Sequence, residues 1–456
     1  MRTTVLLSLA AVLAAGAARP AAACVPPAPG LVVSPAGDDD QDGSAERPLR
    51  TPARALAALR TGLARTIYLD GGVYALTSPL TVRPGDDGVA LRACPGQSPA
   101  LDGGAAGLET LIDVADVAGV VVSGLTLAHA AGPALVVRGG SRALIEHNLF
   151  TDDGGGILLV AGFGQVACAN RILHVAASGI EAKDGVEQVV IAHNDIDGAA
   201  APTTHGGGIF LHGSTGATIA RNRVRNTAGM GIGVANWDGD TVNRATVITG
   251  NLVQNANRTA EDSGAIYVLG RSHVDQASRI AGNVIEDAGA PGDAHTIGIY
   301  LDDSTSGVVV EHNIIRRPGT HAIQVHGGDD VLIRNNFIDL DHAASSAVLF
   351  QAAPADTAPT NTMLGNRVLQ NLIRLHGPAR SLYTFIEGGT PLIAENLIVH
   401  SSDAATAGLV GSDRLAIVPD PVDDEKVSDL ASQLIGFSKF DLAVGPDTKV
   451  DCSTLN

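Results

Sequence analysis

Apolar side chains recur along this chain in short bursts of three to six residues, each closed by a small or polar turn. One burst type reads apolar, any, any, Asn, apolar: "IEHNLF", "IAHNDI", "IARNRV", "ITGNLV", "IAGNVI", "VEHNII", "IRNNFI", "MLGNRV" and "IAENLI", with "VACANRI" as a variant. Its asparagines are Asn148, Asn170, Asn194, Asn222, Asn251, Asn283, Asn313, Asn336, Asn366 and Asn396, spaced 22 to 32 residues apart. A second burst interleaves with it, in which Gly or Ala opens a strand: "GGILLV", "SGIEAK", "GGIFLH", "MGIGVA", "GAIYVL", "IGIYLD" and "HAIQVH". Repetition at this period identifies a solenoid, in which each repeat buries its apolar side only against its neighbours. Short strands with turn residues between them make the solenoid all-β, a right-handed parallel β-helix of the pectate-lyase-like type. Asparagines stacked at one corner would hydrogen-bond along the axis and tolerate the left-handed backbone that corners need.

The strand pattern predicts where side chains point. Aligned on Ile157, Ile180, Ile209, Ile232, Ile266, Ile299 and Ile323, the next residue and the third residue face outward. The first outward column is then Leu158, Glu181, Phe210, Gly233, Tyr267, Tyr300, Gln324, and the second is Val160, Lys183, His212, Ala235, Leu269, Asp302, His326. Coils lie about 4.8 Å apart, so Asp302 and His326 should be neighbours on an exposed face with Tyr267 and Tyr300 stacked beside them. The longest coils run from Asn222 to Asn313, and the loops they carry make this the region to search for a site.

The flanks break the repeat. "RTPARALAALRTG" predicts a capping helix with Thr51 as N-cap, Pro52 first, Gly62 as terminator and Leu56, Leu59 and Leu63 on its apolar face. The opening "MRTTVLLSLAAVLAAGAARPAAAC" reads as a secretory signal ending in small residues. Residues 1–23 are therefore expected to be a signal peptide, 24–100 the cap and first coils, 101–400 the β-helix and 401–456 a C-terminal extension that packs back on it. Cys24 follows the expected cleavage point, so a lipid anchor there is one option. Four cysteines in an exported chain could pair, in an order the spacing leaves open; Cys168, inside a strand, reads as a small core residue.

Composition narrows the partners. Forty-eight acidic against 30 basic residues give a formal charge of −18, which disfavours nucleic acid and uronate polymers and leaves neutral sugars. No later run is long enough to cross a membrane. In "AHTIGIYLDDSTSG", Asp302 points outward and Asp303 begins the turn. "TAEDSGAIYVLGR", one coil earlier, supplies Asp262 and Arg271, and "ANWDGD" supplies Trp237, the sole tryptophan. Aromatic rings beside carboxylates suit a sugar subsite. Asp262 stands four residues before its isoleucine and Asp302 three after. An extended strand would hold the two about 20 Å apart, unless a corner folds Asp262 over the face.

These same motifs, "EDSGAIY", "IGIYLDDSTSG" and "AIQVHGGDDVLIRNNFID", with "LVVSPAGDDDQDGSAERPLRTPARAL" and "IGFSKFDLAVG", resemble the glycoside hydrolase family 141 group, which includes α-L-fucosidases and xylanases. The resemblance spans about Leu31 to Gly445. It implies a catalytic pair made of Asp262 and either Asp302 or Asp303. Tyr267, Tyr300, His326, Arg271, Trp237 and His212 are then the substrate-binding candidates. No cofactor is expected.

Two other functions compete. A polysaccharide lyase would need a base and a cation, with calcium as the expected ion; Lys183 is the only lysine before Lys426, and Asp302, Asp303, Asp329 and Asp330 would be the calcium ligands, although "HGGDD" reads more readily as a turn. A non-catalytic carbohydrate-binding solenoid is the third. His205 and His295 share the column of Asp262 but lie in coils too far apart for a metal cluster, and no His/Cys set has zinc spacing, so no metal is expected.

Overall fold

The computed structural model describes residues 24–62, 64–199, 206–238, 241–271, 274–289, 295–340, 346–353, 362–376, 381–400, 409–417, 424–435, 437, 445–446 and 449–455. Among these residues the strands form three sheets of 14, 12 and 14 strands, each strand paired in parallel with its equivalents one coil before and after. One coil runs through Pro133–Arg138 of the 12-stranded sheet, Leu144–Glu146 of the first, and Leu149–Thr151 of the third before Gly155–Val160 opens the next coil. The fold is a right-handed parallel β-helix. The isoleucine alignment predicted from the pattern is the observed register: Ile157↔Ile180, Ile180↔Ile209, Ile209↔Ile232, Ile232↔Ile266, Ile266↔Ile299 and Ile299↔Ile323. All seven side chains are buried, stacked in one apolar column that continues through the solenoid.

The asparagine corner departs from expectation in two respects. Each rung's Nδ2 donates to the Oδ1 of the next at 2.9–3.0 Å, through Asn148, Asn170, Asn194, Asn222, Asn251, Asn283, Asn313 and Asn336. The chain of rungs then passes to Asn371 and Asn396, not to Asn366. A rung must lie between a first-sheet and a third-sheet strand. Asn371 does, between Arg367–Leu369 and Leu372–Leu375, whereas Asn366 precedes the first of these and ties Val331 and Gly328 instead. The left-handed residue is also not the asparagine but its predecessor, for example His147, His193 and Arg221 at φ 55°, 57° and 55°. This frees the asparagine to point inward and satisfy the backbone groups that a two-residue corner leaves unpaired.

The flanks are tied down covalently and by packing. Helix α1 (Pro52–Leu59) begins with the Thr51 side chain accepting from the Arg54 amide at 3.2 Å. The amides of Thr61 and Gly62 donate only three residues back, to the Ala58 and Leu59 carbonyls at 3.2 Å, so the helix tightens and ends at an Arg60 C-cap before Gly62. Leu56 and Leu59 enter the main core and close it; Leu63 lies outside the described residues. Helix α2 (Asp424–Ile435) buries Val427, Ala431 and Ile435, with Phe437, on the outer side of the third sheet against Val284, Ile314, Phe337 and Leu372.

Both cysteine expectations need correction. Cys24 is bonded to Cys94, so its sulfur is occupied by a disulfide and not by a lipid. Cys168 is no plain core residue: it faces out from the first sheet and is bonded to Cys452, clasping the tail across 284 residues of sequence. Residues 1–23, the expected signal peptide, lie outside the described residues. Among the described residues, no helix is long and apolar enough to cross a membrane.

Candidate active site

The outward side of the 12-stranded sheet is not bare where the long coils cross it. Phe210, Met230, Ala235, Tyr267, Leu269, Ile297 and Tyr300 form a second buried cluster there, with Trp237 packed at its edge. Trp237 stacks on Phe210 at 6.0 Å and on Tyr267 at 6.3 Å between ring centroids, and Tyr267 meets Tyr300 edge-on at 5.3 Å. The tyrosines, expected as exposed platforms, are each only 2% exposed. Loop residues and Trp237 cover their rings, so what they offer the site is their hydroxyl groups.

Those hydroxyls lead to the carboxylates. The register places Tyr267 opposite Tyr300 and Leu269 opposite Asp302, so strands Ser263–Leu269 and Thr296–Asp302 present these groups one coil apart. Tyr267 donates to Asp302 Oδ2 at 2.5 Å, and His326 Nδ1 meets Asp302 Oδ1 at 2.6 Å. The expected Asp302–His326 neighbourhood is therefore real, but it is buried rather than exposed, with Asp302 at 6%. Burial alone would raise the Asp302 pKa; the bonds from His326 and Tyr267 outweigh it and hold the carboxyl below its usual range. Burial likewise favours neutral His326, yet the bond and charge of Asp302 carry its pKa above the ordinary histidine value.

Asp303 has the opposite balance. Its backbone N–H donates to Asp302 Oδ1 at 2.8 Å, and its own Oδ2 accepts from Arg271 Nε at 2.6 Å. Burial and the adjacent Asp302 charge raise its pKa, against the pull of Arg271. Arg271 also donates to the Trp237 carbonyl at 3.3 Å, so one guanidinium ties the carboxylate to the aromatic edge.

Asp262 is exposed and sits at a corner, with φ 50°. That left-handed residue turns the chain over the face, and Tyr300 donates to Asp262 Oδ1 at 3.2 Å. The separation expected from an extended strand is overturned. Contacts of 3.2, 3.5 and 2.6 Å link Asp262 to Tyr300, Tyr300 to His326 and His326 to Asp302. They keep the nearest carboxyl oxygens of Asp262 and Asp302 less than about 10 Å apart and, with His326 Nδ1 3.8 Å from Asp303 Oδ1, those of Asp262 and Asp303 less than about 11 Å apart, upper limits that admit the separations of glycosidase carboxyl pairs.

The remaining candidates separate. His212 lies away from this cluster, with Asp238 as its partner at 3.7 Å. Lys183 pairs with Glu181 at 3.5 Å. Asp329 accepts from Thr362 and the Leu364 amide, the turn role anticipated for it, and does not join Asp302. His205 lies outside the described residues, whereas His295 packs edge-on to Tyr300 at 6.1 Å. The column shared by His295 and Asp262, expected from the pattern, agrees with the Ser263↔Thr296 register. Asp302, Asp303 and His326 bring three potential ligand atoms within 4.8 Å. Tyr267, Arg271 and the Asp302–His326 bond engage part of this set, while His326 Nε2 has no partner among the described residues.

Comparison with known proteins places this geometry in a class of fold. Residues 109–276 match the family model "Right handed beta helix region". No curated protein matches the chain in sequence. Among solved structures, one titled simply "Glycoside hydrolase" is 12% identical, with a TM-score of 0.53 over 84% of this chain and 99% of that one. The catalytic unit of a GH87 alpha-1,3-glucanase from Streptomyces thermodiastaticus strain HF3-3 is 15% identical, with a TM-score of 0.52 over 87% and 69%. The PL6 family alginate lyase AlyGC is 13% identical, with a TM-score of 0.58 over 92% and 60%. At these identities the likeness establishes the β-helix fold and leaves the chemistry to the site.

Proposed function

We propose that this protein is an exported glycoside hydrolase acting on an uncharged poly- or oligosaccharide, with Asp262 and Asp303 as its reacting carboxyl groups. The observation that carries the reading is the convergence of Asp262 with the Asp302–Asp303–His326 cluster through Tyr300. Asp302 has donors on both oxygens and stays ionised. Asp303, pushed toward its protonated form beside that charge, is suited to give a proton to the leaving glycosidic oxygen. Asp262, exposed and with no hydrogen bond on Oδ2 among the described residues, takes the proton of an attacking water or attacks the anomeric carbon itself. The fixed negative charge of Asp302 favours the oxocarbenium-like transition state. Arg271 and Trp237 line the edge where a sugar ring would stack.

The linked "DSGAIY", "IYLDD" and "HGG" motifs support assignment to the family 141 group. Two disulfides support an oxidising location outside the cytoplasm. A lyase has less support, because Arg271 is committed to Asp303 and Lys183 to Glu181. The test is incubation with a plant and bacterial glycan panel, beside Asp262→Asn and Asp303→Asn variants. Hydrolysis gives new reducing ends without the ultraviolet absorbance of an unsaturated product, lost in both variants. That absorbance would establish a lyase instead, and silence on every glycan would leave a binding solenoid.

A further inference from the structure

Two tyrosines stacked in adjacent coils make crossed hydrogen bonds. Tyr267, in the coil of Asp262, donates to Asp302 of the next coil; Tyr300, in the coil of Asp302, donates back to Asp262. The rings are locked edge-on and almost fully buried, so each hydroxyl has little freedom. Asp262, by contrast, is an exposed corner residue, and its carboxylate is held by the Tyr300 hydroxyl.

We infer that Tyr300 is the positioning residue that fixes Asp262 over the Asp302–His326 pair. An exposed carboxylate at a loop corner would otherwise sample several rotamers, each with a different distance to the opposite acid. Anchoring Oδ1 selects one of them and leaves Oδ2 as the oxygen that meets substrate or water. The anchor is rigid because it stands on the sheet and not on the loop. The inference rests on the reading of Asp262 as a reacting group, but the anchoring itself is measurable without any substrate.

The groups that face the Tyr300 ring and hydroxyl are Asp262, Asp302, His326, His295 and Tyr267. Burial, and then the Asp302 and Asp262 charges, raise the phenol's pKa well above its ordinary value, so it stays a donor throughout the working range. The test uses the full-length protein and Tyr300→Phe, which keeps the buried ring and deletes only the hydroxyl. Crystal structures of the two proteins are compared at the Asp262 side chain. In the wild type it should hold one rotamer with Oδ1 on the Tyr300 hydroxyl, and in Tyr300→Phe it should leave that position or spread over several rotamers.

On a glycan that the wild type cleaves, kcat should fall about 10- to 100-fold with KM nearly unchanged. An Asp262 side chain that keeps its single rotamer in Tyr300→Phe overturns the anchoring, whether or not a substrate is known. A tyrosine that serves packing alone would give that result, with only the melting temperature lowered. A released Asp262 with unchanged kcat supports the anchoring and overturns the catalytic role of Asp262. Tyr267→Phe is the control: it should leave the Asp262 rotamer in place, because its hydroxyl bonds Asp302.

Discussion

Asp153 offers a test of the energetics of the solenoid itself. The third-sheet register aligns it with Ala130, Val175 and Ala199, all buried at the corner that leads into the 12-stranded sheet. A carboxyl therefore occupies a position that neighbouring coils fill with small apolar groups, and it is 3% exposed. One oxygen accepts from the Ala130 amide at 2.8 Å; the other has no partner among the described residues. Burial, only partly relieved by that amide, raises its pKa to about 7. In the unfolded chain the group titrates near the ordinary value of about 4. Between these two values the folded state holds a proton that the unfolded state has lost, so stability falls as pH rises from about 4 to about 7 and is level beyond. A gap of about three pH units between the folded and unfolded midpoints corresponds to a loss of about 4 kcal/mol across that window.

Asp153→Asn keeps the acceptor for Ala130 and removes the titration, but leaves an unbonded amide N–H₂ costing about 1–3 kcal/mol. The variant should be no more stable than wild type at pH 4.5 and more stable at pH 8. The measurement is urea unfolding followed by circular dichroism at intervals between these pH values, taking the difference between the two proteins so that other groups cancel. A difference that stays constant with pH would refute the argument, because the carboxyl would then titrate alike in both states.

The remaining expectations concern the site and the scaffold. Arg271→Met removes the Asp303 partner and the bond to the Trp237 carbonyl; a cost of about 1–2 kcal/mol, discounted for the partial exposure of the arginine, is expected, together with a shift in the emission of the sole tryptophan, read by fluorescence. His326→Gln should remove the alkaline limb of stability at the site. The His326 pKa is raised, so its ion pair contributes fully below the unfolded histidine value and is lost as pH rises through the folded one, whereas the Asp302 contribution is lost only at acid pH. Thermal melts between pH 5 and pH 9 would show it. Asn222→Leu deletes a central rung with its bonds to Asn251 and the Ile191 carbonyl; a loss of roughly 2–4 kcal/mol in urea unfolding is expected. Opening the Cys168–Cys452 bond by serine substitution should expose the tail to protease and cost about 2–4 kcal/mol.

The apolar period and the isoleucine register were legible because stacking identical positions buries one continuous column, and a side-chain alternation of two leaves little choice of face. The pairing of Asp302 with His326 and of Tyr267 with Tyr300 follows from that register. The asparagine ladder was legible in nine of its ten rungs. Asn366 misled because the local pattern "MLGNRV" resembles a rung, while the corner that receives a rung is defined only once the strands on either side are known.

What the sequence by itself determined is therefore one-dimensional: the coil, its register and the columns along its axis, each set by a repeating burial of apolar side chains. What only the tertiary structure decided lies where the repeat is broken. A left-handed corner at Asp262 brings its carboxylate onto the face, and loops with Trp237 bury rings that alternation alone would leave in solvent. Two disulfides join Cys24 to Cys94 and Cys168 to Cys452 across separations that spacing cannot order. Corners, loops and cross-links are contacts between residues far apart in the chain. Local pattern carries no record of them, and here they assemble the charge cluster.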